Sequence, residues 1–175
     1  EMDIRLHYIE QGEGFPLILL HGNGEDHTYF KRQMEPFADH FRVIAVDTRG
    51  HGESPRGTGP FTLSRFAEDL KSFFDQHGIS KCHLLGFSDG GNVALLFALK
   101  YPDRVERLIL NGANLDPCGV KLKTQIPIVL GWGLCRLCAL FSQQAKQNWE
   151  MLNLMVTQPH IHRAELAGLD MPVLV

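Results

Sequence analysis

Apolar positions along the chain change their spacing several times, and each change marks an element. Ile4, Leu6 and Tyr8 alternate with Arg5 and His7, the two-residue period of a half-buried strand. Gln11 to Gly14 then supplies a turn. Leu17 to Leu20 is an unbroken apolar run, as expected of a strand covered on both faces. Arg42 to Val46, Lys81 to Leu85 and Arg107 to Leu110 repeat that pattern, and Met171 to Val175 begins a further one. Between these runs the spacing becomes helical. Leu63, Phe66, Ala67, Leu70, Phe73 and Phe74 recur every three or four residues and make one apolar stripe. Thr62 is placed to cap that helix and Gly78 to stop it. Asn92 to Lys100 reads as a second, almost wholly apolar helix ended by Pro102.

Short buried strands alternating with helices predict an α/β fold: a mainly parallel sheet with helices on both faces. Ligands of such sheets bind beyond the carboxyl ends of the strands, so the segments after Leu20, Val46, Leu85 and Leu110 are where chemistry is expected. The rhythm breaks between Leu115 and Ala167, too long a stretch for a loop in a compact domain. It carries Trp132, Trp149, Met151, Met155 and many leucines, and it reads as a helical cap inserted over the upper edge of the sheet. The expected organisation is therefore a core over 1–114, a cap over 115–167, and the start of the next core strand at 168–175.

Composition narrows the picture only a little. The chain has 175 residues, 44% hydrophobic and 21% charged, with a formal net charge of −3, ordinary values for a globular domain. No basic stretch predicts a nucleic-acid surface. The N-terminal residues mix charged and apolar types and do not form a signal peptide. The longest apolar region, Ile126 to Phe141, is shorter than the ~20 residues of a membrane span and contains Arg136, so no membrane partner is expected. Four cysteines lack the spacing of a disulfide framework, which predicts reduced thiols and a cytoplasmic protein. Cys135 and Cys138 form a CxxC pair without further ligands at zinc spacing, and small buried apolar residues are the expected reading. No metal and no organic cofactor is expected.

Gly86-Phe87-Ser88-Asp89-Gly90-Gly91 follows a predicted strand and opens a predicted helix. In that context G-x-S-x-G is a nucleophile elbow, a sharp turn that exposes the serine hydroxyl at a helix N-terminus. The flanking glycines remove side chains that would clash there. His21-Gly22-Asn23-Gly24, directly after an earlier strand, is placed to supply a second oxyanion donor. The expected donors are the backbone N–H groups of Asn23 and Asp89, and Ser88 is the expected catalytic nucleophile.

These motifs, with Asp47-Thr48-Arg49-Gly50-His51-Gly52-Glu53-Ser54 between them, resemble the α/β-hydrolase family over nearly the whole chain. The middle motif is similar to the family's D-x-R-G-x-G-x-S loop, which implies a structural role for Asp47 and His51. Ser88-Asp89-Gly90-Gly91 followed by Asn111-Gly112-Ala113-Asn114 is similar to the valacyclovir-hydrolase-like (biphenyl hydrolase-like) branch. The resemblance implies a serine hydrolase that cleaves a carboxylic ester or related acyl bond of a small molecule through an acyl-enzyme. Asp89, His21 and Trp132 are the candidate substrate-binding residues. Asp89 has two readings: it pairs with a substrate ammonium, giving a preference for aminoacyl esters, or it only complements its helix dipole.

The family's chain order is Ser, then Asp or Glu, then His. The acid lies just beyond the strand that begins at Met171 and the histidine further on, so both are expected beyond Val175. None of the nine histidines matches the catalytic position, and Asp116 is a weak alternative acid. On this reading the chain is part of a longer one, and the 175-residue piece alone is expected to be inactive and poorly soluble. Other chemistries on the same scaffold stay open: carbon–carbon bond hydrolysis, cofactor-free haloperoxidase, aminopeptidase or thioesterase. Dehalogenases and epoxide hydrolases are disfavoured, because they place an Asp where Ser88 stands. A non-catalytic binding module is the alternative from another class. The oligomeric state is not legible.

Overall fold

A computed structural model describes residues 4–175. Six strands form one sheet: β1 (Tyr8–Gln11), β2 (Pro16–Leu20), β3 (Arg42–Val46), β4 (Cys82–Phe87), β5 (Val105–Asn111) and β6 (Val173–Leu174). Their spatial order is β1-β3-β2-β4-β5-β6. Only β1 runs antiparallel to its neighbour, and every other pairing is parallel. The first strand forms later than the alternation of Ile4, Leu6 and Tyr8 predicts. Ile4 and Leu6 are buried, but the ladder to β3 begins only at Tyr8, opposite Val46.

The unbroken apolar runs are explained by cover on both faces. Leu17, Leu19, Val43 and Ala45 point to one side, where Phe30 and Met34 meet them. Ile18, Leu20, Ile44, Val46 and Leu84 point to the other, into a larger core filled by α2 (Leu63–Gln76) and α3 (Asp89–Lys100). Thr62 caps α2 by accepting from the Arg65 N–H, and Gly78 adopts φ +63° just past its end. Met34 belongs to α1 (Lys31–Ala38), a helix the apolar pattern does not announce: only Met34 is buried in it and Pro36 lies inside.

Between β5 and β6 the chain forms α4 (Leu122–Cys138) and α5 (Gln143–Thr157), which pack on each other. This pair is tied to the sheet domain at separated points. The Arg56 guanidinium meets Glu150 at 3.0 Å, the Leu63 N–H donates to Gln158 Oε1 at 2.9 Å, and the Ile161 N–H donates to Leu115 O at 2.9 Å. The structure corrects one expectation here. Cys135 is only half-buried and Cys138 is exposed, because the outer side of α4 has no covering element among the described residues. No helix among the described residues is long and apolar enough to cross a membrane.

Candidate active site

Ser88 stands between β4 and α3 with φ 53° and ψ −121°, and is the one non-glycine residue with positive φ among those described. An L-residue held there is strained by about 1–3 kcal/mol, and such strain persists only where the surroundings fix it. They do so from two sides. The Ser88 N–H donates to Asn111 O at 2.8 Å, and its carbonyl accepts the Asn92 N–H at 3.1 Å. The flanking glycines are required by close backbone approach. A Cβ on Gly86 would sit 2.3 Å from Gly90 O, and one on Gly90 would sit 2.3 Å from the carbonyl oxygens of both Leu20 and His21. Helix α3 therefore starts directly against the end of β2.

That approach delivers the loop after β2 to the serine. A Cβ on Gly22 would lie 3.2 Å from Ser88 Cβ. The Gly22 N–H is taken by Glu25 Oε2 at 2.9 Å. His21, 1% exposed, fixes the loop from behind. Its Nε2 accepts the Thr48 N–H at 3.1 Å, which makes Nδ1 the protonated nitrogen, donating to Gly22 O at 2.8 Å. Both ring nitrogens are thus engaged, and His21 has no polar atom left for a substrate.

Asp89 is buried beside the serine, and burial pushes its carboxyl above the usual carboxylate range despite hydrogen bonds that favour the charge. Its Oδ2 accepts from Asn23 Nδ2 at 2.9 Å and its Oδ1 from Asn92 Nδ2 at 3.4 Å. Asn23 Nδ2 donates also to Met151 O of α5 at 2.9 Å, so one amide joins the loop after β2, the start of α3 and the α4–α5 pair. Asn92 continues outward: its Oδ1 accepts the Asn114 N–H at 2.9 Å and its Nδ2 donates to Asn114 Oδ1 at 3.1 Å. A cavity of about 10 Å³, lined among others by His21, Asn23, His51 and Asp89, leaves space for about one water. An apolar cavity of about 420 Å³ lies beside β5 and β6, lined by Leu95, Leu110, Leu166 and Val173, and Ser88 is not part of its wall.

The loop after β3 braces this arrangement. Asp47 accepts from the backbone N–H groups of His27 (2.6 Å) and Glu53 (3.0 Å) and bonds the rings of His7 and His27. Burial opposes its charge, yet these hydrogen bonds hold the carboxyl below the usual range. Arg49 forms a two-pronged pair with Asp69 of α2, Nε to Oδ2 at 2.6 Å and Nη2 to Oδ1 at 2.7 Å, with both side chains buried. His7, His27 and Asp47 bring ligand-type atoms within 4.8 Å of one another, the grouping of that kind among the described residues. The Asp47 oxygens are already engaged by the rings of His7 and His27 and by the His27 and Glu53 N–H groups.

His51 is 4% exposed and its Nε2 lacks a protein partner. Burial first, and then the neighbouring His21, lower its pKa from 6.5 to about 4. Between those values the unfolded chain binds a proton that the folded protein excludes, so stability falls as pH drops from 6.5 to about 4. The expected loss is up to about 3 kcal/mol, at about 1.4 kcal/mol per pH unit. Urea unfolding at pH 7 and pH 4.5 measures it, and His51→Gln should flatten the slope in that window. An unchanged slope in the variant would show that His51 does not carry it.

Of the residues singled out by sequence, Ser88, Asn23, Asp89 and His21 converge. Trp132 does not join them. Its indole donates to Asn153 Oδ1 at 3.0 Å and its ring lies under Arg136, partners that all belong to the α4–α5 pair. Asp116, the alternative acid, is exposed, and its side chain pairs with His160 at 3.0 Å. Sequence reasoning missed Asn92, although it lies one turn beyond Asp89 on α3, and Met151, whose contribution is a backbone carbonyl.

Residues 16–134 match the family model of the alpha/beta hydrolase fold. The 2-hydroxy-6-oxononadienedioate/2-hydroxy-6-oxononatrienedioate hydrolase of Escherichia coli K12 is 36% identical over 155 residues, 85% of this chain and 52% of that protein. Epoxide hydrolase 4 of Mus musculus is 40% identical over 111 residues, 61% of this chain and 31% of that protein. The chain thus spans about half, or less, of the length of these curated relatives. Among solved structures, a hydrolase from Pseudomonas aeruginosa PA01 superposes with a TM-score of 0.71 at 25% identity, covering 96% of this chain and 74% of that one. A thermophilic esterase from Thermogutta terrifontis gives 0.66 at 28% identity, covering 97% and 68%.

Proposed function

Since the chain belongs to the alpha/beta hydrolase fold family, we propose that the whole protein is a serine hydrolase that cleaves a carboxylic ester through an acyl-enzyme on Ser88. One observation carries this reading: a serine held at φ 53° between a strand and a helix, with backbone packed so closely that glycine is required on both sides. A serine serving only as a turn residue has no reason to occupy a conformation that favours glycine. In the proposed reaction Ser88 Oγ bonds to the carbonyl carbon while its proton passes to a base. The carbonyl π bond opens onto oxygen, which the Asn23 and Asp89 N–H groups would stabilise. Collapse of the adduct breaks the ester C–O bond, and the alcohol leaves with the proton. Water then releases the carboxylic acid and restores the serine. Among the described residues none hydrogen-bonds to Ser88 Oγ, so the base and its orienting acid would be a histidine and a carboxylate supplied by the rest of the protein.

Asp89 is read as part of the scaffold rather than as a partner for a substrate ammonium. Both its oxygens already accept from amides, and the cavity beside it is about the size of one water. Carbon–carbon bond hydrolysis is the second reading, favoured by the 36% identity to the Escherichia coli dioate hydrolase. A serine-directed fluorophosphonate tests the shared premise. Labelling of the full-length protein, lost in Ser88→Ala, is the expected result, and labelling that survives the substitution would sink it. Turnover of p-nitrophenyl acyl and aminoacyl esters at similar rates supports the assignment of Asp89. Activity confined to a vinylogous diketone would move the protein to the second reading.

A further inference from the structure

Helix α4 is turned inside out for a water-soluble protein. At about 100° per residue, Leu122, Ile126, Leu130, Leu134 and Leu137 share one side, and Phe141 extends the row beyond the helix end. That side faces outward: Leu130, Leu134 and Leu137 are 69%, 64% and 67% exposed and Phe141 is 91% exposed. The opposite side meets α5, where a Cβ on Gly131 would touch Leu152 and the Trp132 indole bonds Asn153. A helix that packs through its glycine and tryptophan and shows its leucines to solvent is marked for another apolar phase.

The charges around it say which phase. From Pro117 to Trp149 the chain has no Asp or Glu, while Lys121, Lys123, Arg136 and Lys146 fall in the same stretch, in a chain whose overall charge is −3. None of the four pairs with a carboxylate among the described residues, and Arg136 lies 5.4 Å from the Trp132 ring centroid. A second copy on this face would set like charges against like, whereas an anionic surface neutralises them. Lysines and an arginine near exposed leucines, with an exposed Phe141 at the C-terminal end, are the arrangement of a helix that lies in a membrane interface. The length that rules out a spanning helix places no limit on one lying in the plane.

We propose that the outer face of α4, from Leu122 to Phe141, docks the protein onto an anionic phospholipid surface. The leucines and Phe141 enter the headgroup–acyl boundary, and the exposed lysines at the N-terminal end of the helix, Lys121 and Lys123, meet lipid phosphates. Co-sedimentation of the protein with vesicles of phosphatidylcholine, alone or mixed with phosphatidylglycerol, tests this. The apparent affinity should be at least about tenfold higher for the mixed vesicles, since both lysines contribute. Leu130→Ser with Leu134→Ser should lower it about tenfold or more, with the thermal melt unchanged because both side chains are already exposed. Lys121→Glu with Lys123→Glu should remove the preference for anionic lipid. No sedimentation, equal binding to both vesicle types, or binding that survives both variants would overturn the proposal. So would a concentration-dependent dimer abolished by the leucine variant in the absence of vesicle binding, which would assign the face to a second copy.

Discussion

Gly90→Ala is expected to prevent the native fold from forming, or to lower its stability by about 4 kcal/mol or more. The added methyl would sit 2.3 Å from Leu20 O and 2.3 Å from His21 O. Both obstacles are backbone, and β2 is paired on both sides, to β3 and to β4. A side chain could rotate away, but a central strand cannot. Overpacking a core typically costs about 1–3 kcal/mol when side chains yield, and this contact exceeds that because only movement of the whole of α3 relieves it. Domains of this size are stable by about 5–15 kcal/mol, so the variant should express as insoluble or partly unfolded protein. Gly168→Ala is the control, since a Cβ there meets nothing within 4 Å. Urea midpoints compare the two. A Gly90→Ala protein within about 1 kcal/mol of the parent would mean that α3 can slide along the sheet, and that the close approach does not fix the elbow.

Asp69→Ala should cost about 3–5 kcal/mol, the range for removing one member of a buried pair. The Arg49 side chain is 0% exposed and its Nε and Nη2 both donate to Asp69, so the variant leaves a guanidinium in the interior with its principal acceptor gone. The damage should spread to the site, because the adjoining Thr48 N–H holds His21, which in turn holds the loop containing Asn23. Replacing both partners, Arg49→Met with Asp69→Leu, should recover much of the loss, because no charge is then left buried. Chemical unfolding of the three variants measures this. Equal destabilisation in the single and double variants would show that the pair matters for shape rather than charge compensation.

How far these features were legible in the sequence depends on the range of the forces involved. The strands β2 and β3 were readable because cover on both faces forces an unbroken apolar run. The elbow was readable because a steric demand for glycine leaves its mark on neighbouring positions, Gly86 and Gly90. Helix α1 was not, since it buries little more than Met34 and its Pro36 reads as a break. The partners of Asp89 were not legible either. Asn23 reaches it across the sheet, and Met151 contributes a carbonyl that any residue type would supply. Trp132, a candidate substrate-binding residue by sequence, instead has its indole N–H bonded inside the α4–α5 seam, a pairing that no local pattern announces. The outward face of α4 was invisible for a similar reason: periodicity shows that a helix has an apolar side, and only the packing of α5 shows which side is left over.

The amide of Asn23 has a consequence for how the protein comes into being. It links Asp89 and Met151, residues contributed 66 and 128 positions further along the chain. Ser88 itself needs Asn111 for its N–H and the end of β2 against its helix. During synthesis, then, a nascent chain that has completed β2, β3 and β4 still lacks an ordered elbow, and the loop of Asn23 waits longer for α5. Contacts of such sequence separation carry a large loop-closure cost and slow folding. Strand β4 is made before α3 and β5, which cover and pair it, so that interval is when its apolar residues are most exposed to aggregation.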